Sequence, residues 1–212
     1  MPRNGPIEFH DFLPPPLFHA LRQEALGLTG VERSYVPTHK QGGTVAFDTL
    51  CCCAPDMTAY YRSTALHQQI SAALDCQVRP TPQRDQSSLS LLVYDRPGDQ
   101  IGWHRDLNFY RGRHFTLLVP LVNVGFAAGQ RSHARLSVRE PGQPDRVVDT
   151  GANHAVLFEG AHLLHSVSRL LAGERRIVLS MTFCSDSHAT FSQGVARRIK
   201  DTAFFGLRAL WT

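Results

Sequence analysis

Along the second half of the chain the hydrophobic period changes, and apolar side chains gather in short runs. These runs fall at 87–94, 115–122, 134–139, 146–150, 153–158 and 176–183, and they are rich in branched and aromatic residues. Turn formers separate them: Pro97-Gly98, Gly125, Pro141-Gly142, Gly151 and Gly173. Many short strands between such signals predict a mostly β fold, a sandwich or a jelly roll. The first half reads differently. Pro14-Pro15-Pro16 opens a stretch in which Leu17, Phe18, Leu21, Ala25 and Leu26 share one helical face. Pro55-Asp56-Met57 opens a second helix running through Tyr60, Leu66, Ile70 and Leu74. These two N-terminal helices are expected to cover one face of a sheet. Residues 29–55 read as loop with a short strand, and 79–86 as polar loop. Ile199, Ala203, Phe204, Leu207, Leu210 and Trp211 recur at helical spacing, which predicts a C-terminal helix over 195–211.

Composition narrows the class. The chain has 212 residues, 42% hydrophobic and 19% charged, the values of a globular chain able to bury a core. No internal repeat or low-complexity linker divides it, so one domain over 1–212 is expected. The net charge is +4, from 22 basic and 18 acidic residues, and only Lys40 and Lys200 are lysines. Arginine suits bidentate recognition of carboxylate or phosphate, but so small an excess without a basic block disfavours a nucleic-acid partner. The longest apolar run, from Phe115 towards Ala128, is broken by Pro120, Asn123 and Gly125. It is short of the roughly 18 residues that span a membrane. The N-terminal residues show no apolar signal-peptide core. Five cysteines, an odd number without a Cys-x-x-Cys pair, suit a reducing compartment better than a disulfide framework. A cytoplasmic location is the expectation.

The stretch with chemical content is 94–106. His104 and Asp106 lie two apart, so on an extended segment both side chains leave the same face. An imidazole and a carboxylate side by side make two legs of a metal site. A histidine from a distant strand would complete a 2-His-1-carboxylate facial triad with positions open to substrate and dioxygen. In a chain with 11 histidines a His-x-Asp pair alone is weak evidence, and the context lies downstream. His162-Leu163-Leu164-His165-Ser166-Val167 precedes Gly173-Glu174-Arg175-Arg176 and the run 177–183.

With Tyr94 and Gly98 upstream, this order of residues resembles the iron(II)- and 2-oxoglutarate-dependent dioxygenases, in particular their prolyl-hydroxylase-like branch. The resemblance covers about residues 87–184. It implies a double-stranded β-helix (jelly roll), with Fe(II), 2-oxoglutarate as cosubstrate, and dioxygen. The implied metal ligands, and hence the catalytic set, are His104, Asp106 and His165. His154 and His162 compete for the distal position, and the family pattern of His-x-Val before Gly-x-Arg favours His165.

A cosubstrate with a terminal carboxylate calls for a guanidinium at the bottom of its pocket. Arg175 alternates with Ile177, Leu179, Met181 and Phe183, an apolar row suited to packing under helices. Arg176 alternates with Val178, Ser180 and Thr182, a small and polar row suited to lining a pocket. Parity therefore favours Arg176, with Ser180 as a hydroxyl partner, while Gly-x-Arg read literally selects Arg175. The resemblance also places Tyr94 near the cosubstrate or substrate, although a core aromatic fits the same residue. Thr116 is a further candidate to face 2-oxoglutarate, and Trp103 reads as packing beside the metal. Related halogenases have Gly or Ala where Asp106 stands, so by this resemblance the carboxylate implies hydroxylation as the default, with desaturation or ring formation open to the same chemistry.

The expected partner is a small-molecule substrate, such as an amino acid or a natural-product intermediate. High arginine over lysine usage is a compositional hint of a bacterial biosynthetic setting. Arg105, Arg111 and Arg113 could meet a substrate carboxylate or form a solvated basic loop; Asp48, Asp85 and Asp99 could meet an amine. An oxygenase acting on protein side chains or alkylated nucleic acid, and a jelly-roll binding module without catalysis, are the competing readings.

Overall fold

The computed structural model describes residues 5–29, 31–36, 40–83 and 85–188. The helix expected over 195–211 lies outside them. Helix α1 (Pro15–Gly27) starts with proline in its first turn, where a missing N–H costs nothing, and buries Leu21 and Ala25. The single helix expected from Pro55 to Leu74 is two, α3 (Pro55–Arg62) and α4 (Thr64–Leu74). Ser63 turns to an extended conformation between them, and its hydroxyl accepts the Leu66 N–H at 3.3 Å, capping α4. Helix α3 follows Ala54, which has no capping side chain. Glu24 of α1 supplies the cap instead, accepting the N–H groups of Asp56 and Met57 at 2.8 and 2.9 Å.

The segment 29–55 is more ordered than its composition implies. It holds the hairpin β2 (Glu32–Val36) and β3 (Lys40–Val45), then a short helix α2 (Phe47–Cys53). Two strands precede and follow this helical region, β1 (Ile7–Phe9) and β4 (Arg79–Pro80). All five cysteines are free thiols.

The remaining strands are β5 (Leu89–Tyr94), β6 (Gln100–His104), β7 (His114–Val124), β8 (Leu136–Arg139), β9 (Arg146–Val148), β10 (Ala155–Phe158), β11 (Leu164–Val167) and β12 (Arg175–Cys184). Every expected strand is present within a few residues of its expected bounds. They form one curled antiparallel sheet in the order β1-β10-β7-β12-β5-β3-β6-β11-β8-β9, with β2 on β3 and β4 on β12. This is a jelly-roll-like fold. Strand β3 makes the bend: Gly43–Val45 pairs with β5, while Lys40 and Gln41 pair with β6. Gly43 is needed there, since a Cβ would come within 2.4 Å of Val31.

Alternation gives the sheet two different faces. Leu89, Leu91 and Val93, with Phe115, Leu117 and Val119, and Ile177, Leu179, Met181 and Phe183, pack under the helices in one core. Tyr61 of α3 fastens that layer, its hydroxyl donating to the Thr182 carbonyl at 2.8 Å. The opposite face closes the roll. There Tyr94, Leu118, Val156, Phe158 and Val178 meet Leu136, Val138, Val148 and Val167 of the smaller half. Pro120, which lacks an N–H, sits in a central strand where the β7–β12 register shifts, a position that proline tolerates.

No helix among the described residues is long and apolar enough to cross a membrane.

Candidate active site

His104 ends β6 and His165 lies in β11, and the antiparallel register makes them direct cross-strand partners. Their ring centroids are 4.1 Å apart. Asp106 follows two residues after His104, held by its own N–H to the Gly160 carbonyl at 2.9 Å. Its Oδ1 lies 3.6 Å from His104 Nε2 and 3.7 Å from His165 Nε2. One ligand atom from each of the three falls within 4.8 Å of the others, a spacing that can hold a metal ion.

The two histidines are oriented by the same local device. His104 Nδ1 lies 2.9 Å from the Gly102 carbonyl and His165 Nδ1 3.0 Å from that of Leu163. A carbonyl can only accept, so Nδ1 carries a proton in each ring and Nε2 is the atom turned to Asp106. The carboxylate is braced in turn by Thr116 Oγ1, which donates to Oδ2 at 2.7 Å. Burial works against the charge of Asp106, but His165, His104, the Thr116 hydroxyl and His114 outweigh it and hold the carboxyl below its usual range. Phe158 closes edge-on against His165 at 4.9 Å.

Gly160 belongs to this set. A Cβ there would lie 2.1 Å from Asp106 Oδ2 and 2.7 Å from its Cβ, so no side chain fits. Sequence reasoning missed it, and its only local signal is a turn glycine after the run 153–158.

These residues open into a cavity of about 480 Å3 between the two halves of the roll. Arg176, Val178, Ser180 and Thr182 all line it, as strand parity predicts, and Arg175 does not. Arg176 is 1% exposed, lies over the ring of its cross-strand partner Tyr94 at 5.2 Å, and no carboxylate of the described residues pairs with it. Its Nε and Nη2, and the Tyr94 hydroxyl, are buried without a hydrogen-bond partner among the described residues. Burial lowers the Arg176 pKa and pushes Tyr94 up to about 12. A buried cation with unused donors beside a protonated phenol is a cradle for a carboxylate.

The other candidates are dispersed. His162 is on the surface, its side chain 77% exposed beside Glu159, and His154 sits near Asp149. Trp103 is partly exposed under the Arg139 guanidinium at 4.4 Å, a packing role. Arg105 lines the cavity, whereas Arg113 is paired to Glu159 at 2.7 Å. The Arg111 N–H donates to the His188 carbonyl at 2.9 Å. Asp99 binds Arg33 and caps the turn at 95–96, and Asp48 accepts from Gln86 at 2.9 Å, so both are structural. Asp85 does reach the cavity, accepting the Tyr110 hydroxyl at 2.7 Å. Lys40 and His114, both buried, line the same cavity and were not singled out from the sequence.

The curled antiparallel roll backed by helices is similar in fold to solved 2-oxoglutarate and iron(II) oxygenase structures. A Pseudomonas putida prolyl-4-hydroxylase is similar over 85% of this chain and 92% of its own, with a TM-score of 0.61 at 19% identity. The alpha-ketoglutarate-dependent epimerase SnoN of nogalamycin biosynthesis is similar over 86% and 77%, with a TM-score of 0.66 at 15% identity. It has also been solved with Fe3+, alpha-ketoglutarate and nogalamycin RO. A Burkholderia pseudomallei protein of the 2OG-Fe(II) oxygenase family is similar over 88% of both chains, with a TM-score of 0.66 at 11% identity. No family model and no curated protein matches the sequence. The likeness is one of fold.

Proposed function

We propose that this chain is an iron(II)- and 2-oxoglutarate-dependent oxygenase, working as one domain over 1–212, that hydroxylates a small molecule. The observation that carries the reading is the pairing, in one cavity, of the His104–Asp106–His165 cluster with a buried Arg176 guanidinium that has two unpartnered nitrogens. In this reading His104 Nε2, His165 Nε2 and Asp106 are the metal ligands. Arg176, with the Tyr94 and Ser180 hydroxyls, takes the far carboxylate of 2-oxoglutarate. Thr116 braces Asp106 through its bond to Oδ2 and, lining the same cavity, also faces the cosubstrate. The bound iron and cosubstrate would supply oxidative activation of dioxygen, with 2-oxoglutarate leaving as succinate and carbon dioxide. The protein's part is to leave one face of the metal position open and keep water away with Leu92, Leu118, Leu136, Val167 and Val178.

A largely apolar cavity of about 480 Å3 with a few convergent polar groups suits a small molecule. Asp85 and Lys40 offer it both signs of charge. An amino acid or natural-product intermediate fits that description, and a biosynthetic role in the cytoplasm is consistent with the arginine-rich composition. The test is succinate release over a panel of amino acids and natural-product acids and amines. Anaerobic addition of Fe(II) with 2-oxoglutarate should give a weak visible charge-transfer band that His165→Ala abolishes. A band unchanged in His165→Ala, or no band and no succinate from the wild-type protein, would overturn the assignment.

A further inference from the structure

Two histidines facing each other beside a carboxylate occur twice among the described residues. The second instance lies at the far edge of the sheet. Strand β1 pairs with β10, with Phe9 opposite Ala155, so the next step of the same register sets His10 opposite His154. Their ring centroids are 4.5 Å apart and nearly perpendicular. Asp149, in the turn after β9, completes the set, with Oδ2 3.2 Å from His154 Nδ1. One ligand atom from each of the three lies within 4.8 Å of the others, the same limit that the His104 cluster meets.

The surroundings fix these side chains. Asp11, just after His10, and Asn153, just before His154, both have positive φ, at 49° and 64°. Asn153 clamps the N-terminal segment: its Oδ1 accepts the Leu13 N–H at 2.9 Å, its Nδ2 donates to the Leu13 carbonyl at 2.9 Å, and its carbonyl accepts the Phe12 N–H at 3.1 Å. The two histidines thus face each other across a rigid connection. His154 Nδ1 is buried and has no hydrogen bond of good geometry among the described residues. Arg131 and the Gly151 N–H both bind Asp149 Oδ1, which leaves Oδ2 turned to the His154 imidazole.

We propose that His10, Asp149 and His154 form a second metal site, for a divalent transition ion that favours imidazole, such as Zn(II). Two neutral imidazoles and one carboxylate suit such an ion better than Mg(II) or Ca(II), which prefer oxygen ligands. An ion there would tie the edge strand β1 to the turn between β9 and β10. This inference is independent of the proposed oxygenase activity.

The experiment is calorimetric titration of the metal-stripped full-length protein with Zn(II). Wild type should take up two equivalents. His10→Ala, at an exposed position, should take up one and keep the Fe(II) and 2-oxoglutarate absorption band. His165→Ala should also take up one, and the variant carrying both changes none. In His165→Ala, Zn(II) should raise the melting temperature, and adding His10→Ala should remove that rise. No uptake by His165→Ala, or the same uptake by His10→Ala as by wild type, would overturn the site.

Discussion

Replacing Arg176 tests the proposed cosubstrate site most directly. Its guanidinium is buried, and two of its nitrogens have no acceptor among the described residues. A bound carboxylate would supply one. Truncating one partner of a buried, hydrogen-bonded charge pair costs about 2–5 kcal/mol. At 1.4 kcal/mol per tenfold, this weakens 2-oxoglutarate binding by roughly 30- to 4,000-fold in Arg176→Ala. Arg175 alternates onto the helix side and does not line the cavity, so Arg175→Ala should stay within roughly twofold, the range of about 0.5 kcal/mol usual away from a site. The readout is the 2-oxoglutarate concentration that gives half-maximal succinate release. A second consequence follows from the missing acceptor. Without cosubstrate the protein carries a buried charge with no carboxylate partner among the described residues, so Arg176→Met, of similar volume, should melt no lower than wild type. Saturating 2-oxoglutarate, about 100 times its Kd, should stabilise wild type by roughly 2.7 kcal/mol and Arg176→Met not at all. A larger loss in Arg175→Ala, or an Arg176→Met protein that still responds to 2-oxoglutarate, would refute the argument.

Thr116→Val keeps the shape but removes the hydroxyl from Asp106 Oδ2; the apparent Fe(II) requirement should rise about 10- to 100-fold, as for other groups that orient metal ligands, and an unchanged requirement would show that Thr116 does not position the carboxylate. Asp106→Gly should abolish hydroxylation without producing chlorination in chloride buffer, checked by mass spectrometry, because halide transfer also depends on how the pocket places the substrate. Retained hydroxylation would remove Asp106 from the ligand set. Glu174 accepts the N–H groups of His133 and Leu171 at 3.0 and 2.9 Å. Burial opposes its ionisation, yet His133 and these N–H groups hold its carboxyl below the usual value. A depressed folded pKa means that this stabilisation is full above the unfolded value of about 4.3 and is lost as pH falls through the lower folded one. Glu174→Gln should therefore cost about 1–3 kcal/mol at neutral pH, and in urea melts its gap to wild type should begin to close only below about pH 4.3.

Strands whose two faces differ were legible in the sequence. In 176–183 the alternation separates an apolar row from a small and polar one, and the structure puts the first under the helices and the second in the cavity. Parity alone thus placed Arg176 inside. Strands β6 and β11, which carry the two histidines, gave no such signal. They are short and turn histidines as well as apolar residues to the cavity, so their residues do not alternate cleanly. Helix α2 buries only Phe47 and Leu50, too few positions to show a period. The break at Ser63 was hidden because the apolar face continues from α3 into α4. Gly160 and Asp106 are 54 positions apart, and their contact belongs to the closed roll, not to any local pattern. The choice of His165 over His162 and His154 rested on a family resemblance, and it is the cross-strand register that brings His165 to His104.

The bend at β3 has a dynamic consequence. Backbone hydrogen bonding between the smaller group of strands, β6, β11, β8 and β9, and the rest of the sheet runs through the two positions Lys40 and Gln41 alone among the described residues. Two of the proposed metal ligands belong to that smaller group, while the carboxylate between them is braced by Thr116 on the larger one. An ion at this point joins two parts of the molecule that would otherwise open with separate free energies. Amide hydrogens of 100–104, 136–139 and 164–167 should therefore exchange faster than those of β7 and β12 in the metal-free protein. Loading Fe(II) and 2-oxoglutarate should slow the first group towards the second, so that the two halves then unfold as one unit.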